Sequence, residues 1–222
     1  MSLQNPVYEA LTGPHASFAE IRGNVRRYPT DVAPFLALPD EPTEQDWADA
    51  AVLVGSGRTA ALMRPALPLP DSFKIEVEID LVQFVAPDSL PAADPEAVVL
   101  GPDDVAEMLA LVALTDPGPF RSRTIELGTY LGIRRDGELV AMAGTRFSLP
   151  GYAEISAVCT HPSARGQGLA TRLIRAVAHR IEAAGQTPFL HTGGTNAGAI
   201  RLYRSLGFTL SNEMKVTVVE AV

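Results

Sequence analysis

The stretch FKIEVEIDLVQFV, residues 73–85, alternates apolar and charged positions. Ile75, Val77, Ile79 and Leu81 fall on one side, and Lys74, Glu76, Glu78 and Asp80 on the other. A period of two predicts a half-buried strand with those four residues on its apolar face. Upstream, the apolar runs AAVLV and TAALM flank GSGR and read as a hairpin. NPVYEALTGPHASFAEI has helical stretches interrupted by Gly13-Pro14, and GNVRRYP reads as a solvated loop.

The pattern sharpens further along. In PDDVAEMLALVAL the residues Val105, Met108, Leu109 and Val112 stand at helical spacing, with Pro102 and acidic residues at the start. GTYLGIRRDGELVAMAGTRF reads as two strands around Asp136-Gly137, a pair suited to a two-residue hairpin turn. LPGY makes a second turn, and AEISAVCTH is a third strand. From Gly168 onward, Leu169, Leu173, Ile174, Val177, Ala178 and Ile181 predict a long amphipathic helix capped by Gly185. TPFLHT is a short strand. NAGAIRLYRSLGF is a helix with Asn196 as N-cap and Gly207 as its stop. FTL and EMKVTVVEA close the chain as two strands. The expected order of this half is β-α-β-β-β-α-β-α-β-β. Prolines cluster between Pro29 and Pro70 and again between Pro87 and Pro102, which places a boundary near residue 92: a region 1–92 and a domain 93–222.

Composition narrows the function. With 46% apolar and 20% charged residues, the chain has the profile of a globular protein. Its net charge of −8 argues against a nucleic-acid partner, which would need a basic face. The single cysteine, Cys159, permits no internal disulfide, and the four histidines have no ligand spacing, so no metal is expected. No apolar run reaches membrane-spanning length, and the first residues carry no basic and apolar leader. A cytoplasmic protein without a membrane partner is the expectation.

The chemistry concentrates in THPSARGQGLATRLIRAV. A helix start presents unpaired N–H groups and a partial positive charge, and so attracts anions. Gly166 and Gly168 let an anion approach the backbone, and Arg165 adds a cationic fork. A dinucleotide fingerprint would need a third glycine, and a P-loop would need a lysine; both are missing. What remains is a basic residue followed at fixed spacing by Gly168 and Ala170.

This loop, together with Asn-x-x-Ala-x-x-Leu-Tyr-x-x-x-Gly-Phe from Asn196 to Phe208, resembles the GNAT superfamily of acyl-CoA-dependent N-acetyltransferases. AEISAVCTHPSARGQGLA looks like that family's strand and pyrophosphate loop, and the likeness spans roughly residues 97 to 220. Its "AEI…CTHP" flavour is similar to the branch of glycine N-acyltransferase-like proteins. The resemblance implies an α+β fold: a GNAT-type mixed, mostly antiparallel sheet flanked by helices, with a smaller N-terminal α/β region that would be a partial GNAT-like or lid domain. It implies acetyl-CoA as co-substrate. Its pyrophosphate would lie on the backbone of Arg165, Gly166, Gln167, Gly168, Leu169 and Ala170, with Asn196 a further contact. Its pantetheine arm would pair with Val158, Cys159 and Thr160 like an added strand.

The resemblance also implies roles in catalysis. Tyr203 would protonate the departing thiolate, against the alternative of a core tyrosine. Glu154 would act as general base, usually through a water, against the alternative of an exposed strand glutamate. Cys159 reads as a small core residue rather than a nucleophile, because the family transfers acyl groups directly. The implied activity is transfer of an acetyl group to a primary amine, a small molecule. The alternative is an acyl-CoA-binding regulatory module without catalysis. A homodimer stays open.

Overall fold

The computed structural model describes residues 3–87, 90 and 93–222. The chain runs α1 (Pro6–Thr12), β1 (Glu20–Arg22), β2 (Val25–Arg27), β3 (Leu36–Ala37), α2 (Glu44–Val54), β4 (Thr59–Arg64) and β5 (Phe73–Val85). It continues through β6 (Val98–Leu100), α3 (Val105–Thr115), β7 (Tyr130–Arg135), β8 (Glu138–Leu149) and β9 (Tyr152–Thr160). It ends with α4 (Leu169–Ala183), β10 (Thr187–Gly193), α5 (Ala197–Ser205) and β11 (Thr209–Ala221). Strands β1 to β3 form a small sheet. The other eight form one sheet in the order β4-β11-β5-β10-β9-β8-β7-β6.

Every pairing in the large sheet is antiparallel except that of β10 with β9, so the sheet is mixed and mostly antiparallel. Strand β5 sits between β10 and β11, and β4 lies outside β11, so segments from both sides of residue 92 share this sheet. Residue 92 itself lies outside the described residues.

Helices cover both faces. Leu169, Leu173, Ile174, Val177 and Ile181 of α4 pack on Ala153, Ile155 and Leu190, with Tyr203 of α5 in the same cluster. On the opposite face, Val7, Ala10 and Leu11 of α1 pack with Phe35, Phe147, Phe189 and Met214. Met108 and Leu111 of α3 pack with Tyr130, Ala157 and Cys159. Trp47, Ala50 and Val54 of α2 close over Leu62, Phe73 and Val219.

Local chemistry explains many boundaries. Asp136 and Gly137 both adopt positive φ (52° and 88°), as the turn between β7 and β8 requires. Thr43 and Asp46 form a reciprocal capping box at the start of α2. Asn196 accepts the N–H of Ala199 at 3.1 Å, and Gly207 turns left-handed (φ 89°) after α5.

Several expectations are corrected. AAVLV is the end of α2, not a hairpin strand; the capping box starts a helix that runs to Val54. FKIEVEIDLVQFV is a strand, but Val218 faces Val77 while Val219 faces Ile75. The extra residue, Glu76, is a bulge that turns Ile75 to the face opposite Val77 and Ile79. All three are nearly half exposed (49%, 47% and 47%). FTL and EMKVTVVEA are a single strand, β11, interrupted by a bulge at Ser211. GNVRRYP is not a solvated loop, because it holds β2, and Tyr28 is buried with its hydroxyl 2.8 Å from His15 Nδ1.

Candidate active site

Strands β9 and β10 run parallel and in register from Tyr152/Thr187 to Ile155/Leu190, and then their pairing stops. Beyond that point β9 stays bonded to β8, through Ser156, Cys159 and Thr160. Strand β10 stays bonded to β5 as far as Gly193. A V-shaped split therefore opens in the middle of the sheet, with its apex at Ile155 and Leu190. The edge of β9 along it offers backbone groups unclaimed by a neighbouring strand.

A bulge starts the split. Between the pairs Met142↔Cys159 and Gly144↔Ser156, two residues of β9 oppose one of β8. Ala157, inside this bulge, has φ 52°, a left-handed conformation that costs a non-glycine residue about 1 kcal/mol or more. No sequence signal marks it, since alanine carries no preference for that region.

At the open end of the split lies the glycine loop. Gly166 and Gly168 have φ of 78° and 74°, and a Cβ on either would meet nothing within 4 Å. Both positions are thus left-handed turns that also face open space. The first bond within α4 runs from the Arg172 N–H to the Gly168 carbonyl at 3.1 Å, so the N–H groups of Leu169, Ala170 and Thr171 precede the helix's own ladder. Leu169 is buried, so only its backbone can serve a ligand. Arg165 and Gln167 are exposed. Arg172 is engaged elsewhere, held by Asp94 at 2.5 and 2.7 Å. These features fit a pyrophosphate: donors at a helix start, no obstructing side chain and one exposed guanidinium.

Val158, Cys159 and Thr160 line the β9 wall. The His161 N–H bonds to Val140 of β8 at 2.7 Å, so the Thr160 carbonyl points the other way, into the split, where Arg165 Nε reaches it at 3.3 Å. Cys159 is buried in the apolar cluster under α3, and burial pushes its thiol up to about 11. A thiol with that value is a poor nucleophile.

Tyr203 is 7% exposed, and its ring lies between Phe84 (6.1 Å) and Phe208 (6.0 Å). Phe84 is the cross-strand partner of Leu190, so Tyr203 stands against the β10 wall at the apex. Burial raises its hydroxyl to about 12, which keeps the phenol protonated at neutral pH. Asn196 caps α5 just beyond the end of β10.

Glu154 requires the largest correction. It is neither an exposed strand residue nor a free base. It is 1% exposed, and Arg146 holds it through two bonds, Nε to Oε2 at 2.8 Å and Nη2 to Oε1 at 2.7 Å. His191 Nδ1 lies 2.7 Å from Oε1. Burial alone would raise its pKa, but the Arg146 charge and the His191 bond outweigh burial and hold the carboxyl at about 2. The Arg146 guanidinium lies 5.2 Å from the ring centre of Phe35 and 4.6 Å from that of Phe147. A carboxylate with both oxygens taken and so low a pKa has little basicity to offer an ammonium. The partners Arg146 and His191 come from two other strands, so no local motif announces them.

Among the described residues, no group of three or more His, Cys, Asp or Glu side chains could hold a metal ion. Among them, too, no helix is long and apolar enough to cross a membrane.

Comparison with known proteins decides the family. A family model described as FR47-like protein matches residues 130–217. A crystal structure of a GNAT-family protein from Novosphingobium aromaticivorans DSM 12444 superposes with a TM-score of 0.91, at 39% identity over 99% of this chain and 98% of that one. The chain belongs to the GNAT family. A GCN5-related N-acetyltransferase from Kribbella flavida shares the fold at a TM-score of 0.64 and 19% identity, over 100% of this chain and 96% of that one. A search of curated proteins finds no match. The GNAT residues quoted from sequence fall at the split: the glycine loop at its mouth, Val158 to Thr160 on one wall and Tyr203 behind the other.

Proposed function

We propose that the chain is an N-acetyltransferase that moves an acetyl group from acetyl-CoA directly to a primary amine. The observation that carries this reading is the split between β9 and β10, with the open glycine loop at its mouth. An extended pantetheine arm can pair with the free edge of β9, as a strand adds to a sheet. Arg165 and the N–H groups from Gly166 to Ala170 would hold the pyrophosphate. Asn196 would make a further contact with the co-substrate.

The chain's residues then have defined tasks. The free N–H groups on the β9 edge polarise the thioester carbonyl. The amine nitrogen attacks that carbon; the new C–N bond forms and the C–S bond breaks. Tyr203 hydrogen-bonds the sulfur and passes it a proton as the C–S bond breaks, and the tyrosinate, the stronger base of the two, regains a proton from water. The amine's surplus proton passes to water, because Glu154 is locked in its pairs with Arg146 and His191.

The test is thiol release from acetyl-CoA in the presence of a panel of primary amines: a polyamine, free amino acids, an aminoglycoside and a peptide N-terminus. Amine-dependent release supports the reading. Binding of acetyl-CoA without release by any amine would replace it with a non-catalytic acyl-CoA-binding module.

A further inference from the structure

One row of polar side chains, buried except for the half-buried Asn212 at its end, crosses the centre of the large sheet at the apex of the split. It runs over five neighbouring strands: Asn212 on β11, Gln83 on β5, His191 on β10, Glu154 on β9 and Arg146 on β8. Gln83 faces both Asn212 and His191 in register. The links are short: Asn212 Nδ2 to Gln83 Oε1 at 2.6 Å, Gln83 Nε2 to His191 Nε2 at 2.8 Å, and His191 Nδ1 to Glu154 Oε1 at 2.7 Å. Gln83 is wholly buried, and the His191 side chain is 3% exposed.

The direction of these bonds is fixed by one atom. Gln83 Nε2 also reaches the carbonyl oxygen of Leu3, at 2.9 Å. A carbonyl can only accept, so the amide nitrogen of Gln83, and not its oxygen, faces Leu3. The same nitrogen faces His191 Nε2, which must therefore accept and carry no proton. The imidazole proton is then on Nδ1, donated to Glu154. Every donor in the row points towards Glu154, and its charge is met by Arg146.

The Glu154–His191 bond ties β9 to β10 beside the point where they part. In backbone register Glu154 faces Phe189, and His191 lies two residues further along β10, so its side chain reaches back across the apex. We propose that Gln83 is a positioning residue for the acyl-CoA split: it fixes His191 as the neutral Nδ1–H imidazole and so sets the apex where β9 and β10 diverge. The inference rests on the acyl-CoA reading of the split. It gives the N-terminal half of the chain, which supplies Gln83 and Leu3, a part in the geometry of the site.

Two readouts test it. The first is the 15N shift pattern of His191 in the unmodified protein, which separates an Nδ1–H from an Nε2–H imidazole and needs neither ligand nor variant. The expected result is a single Nδ1–H form at neutral pH; an Nε2–H form, or averaging of the two, overturns the proposal. The second uses acetyl-CoA labelled with 13C at the thioester carbonyl, with Gln83→Met and Gln83→Glu. Gln83→Met keeps the length and removes the amide. It is expected to lose at least half of the carbonyl shift seen on binding, while Kd stays within about threefold because the pyrophosphate loop is untouched. Gln83→Glu places an acceptor opposite Nε2, so His191 is expected to gain a proton there and show an imidazolium pattern. A purely structural Gln83 would lower stability in Gln83→Met and leave the carbonyl shift unchanged, which would refute the proposal. If the unmodified protein binds no acetyl-CoA, the acyl-CoA reading fails, and with it the role assigned to Gln83 in the site. The His191 pattern then still judges the tautomer assignment by itself.

Discussion

Replacing Glu154 with Gln separates a buried anchor from a general base. The carboxylate is buried, binds Arg146 at 2.8 and 2.7 Å, and accepts from His191 at 2.7 Å. Glu154→Gln keeps the shape but leaves the buried Arg146 guanidinium without its counter-charge, and it turns an amide N–H towards donors. Breaking one side of a buried pair costs about 3–5 kcal/mol. In a chain of this size each kcal/mol moves the melting temperature by about 2–4 °C, so a fall of roughly 6–20 °C is expected. Calorimetric melting and urea titration read this directly. Turnover, measured well below the melting temperature, should fall by only about tenfold, because the substitution disturbs the apex without removing a proton acceptor. Loss of a working general base would instead remove about 10²–10⁴-fold. A melting temperature unchanged within about 2 °C, together with a turnover loss beyond 100-fold, would refute the anchor account.

Three other outcomes follow from the same geometry. Tyr203→Phe should lower turnover by about 100-fold and leave the acetyl-CoA Kd within about twofold, as read by thiol release and calorimetry; an equal loss in both would assign the hydroxyl to binding. His15 is held neutral, mainly by burial, with its pKa lowered from 6.5 to about 4. The unfolded chain therefore binds the proton first, and about 3 kcal/mol of stability should disappear as pH falls from 6.5 towards 4. Glu154, lowered from 4.5 to about 2, adds a further loss below pH 4.5. Urea melts at stepped pH check both, and His15→Gln should remove His15's share of the upper window, leaving the share of His191, whose pKa burial also lowers. Gly144→Ala should destabilise by about 1–3 kcal/mol, since a Cβ there would lie within 2.6 Å of ring carbons of Tyr130; a neutral result in urea titration would mean that the ring can move aside.

The parts of the site legible in sequence were those carried by local motifs. Gly166 and Gly168 announced an open backbone at a helix start, and both face open space, in a left-handed conformation. Asn196, Tyr203 and Gly207 stood at helix spacing and occupy one cap, one wall and one stop. What stayed hidden depends on contacts between distant segments. Glu154 looked like an isolated strand residue because its partners lie 8 and 37 positions away in the chain. Ala157 carries no mark of its bulge. The insertion of β5 between β10 and β11 is a matter of long-range pairing that an alternating pattern cannot specify. AAVLV was misread because a short apolar run fits a strand or a buried helix end equally well, and the Thr43–Asp46 cap that decides it lies seven residues upstream of the run.

The central claim, that the glycine loop and the split together hold acetyl-CoA, is tested most directly by titrating acetyl-CoA into the protein and into Gly168→Glu in a calorimeter. Position 168 is exposed and adopts a positive φ, so the carboxylate would project where the pyrophosphate must lie. The account predicts a Kd of about micromolar order for the unmodified protein and at least a hundredfold weaker binding for Gly168→Glu, about 2.7 kcal/mol or more. No binding by the unmodified protein, or equal affinity in both, would contradict it.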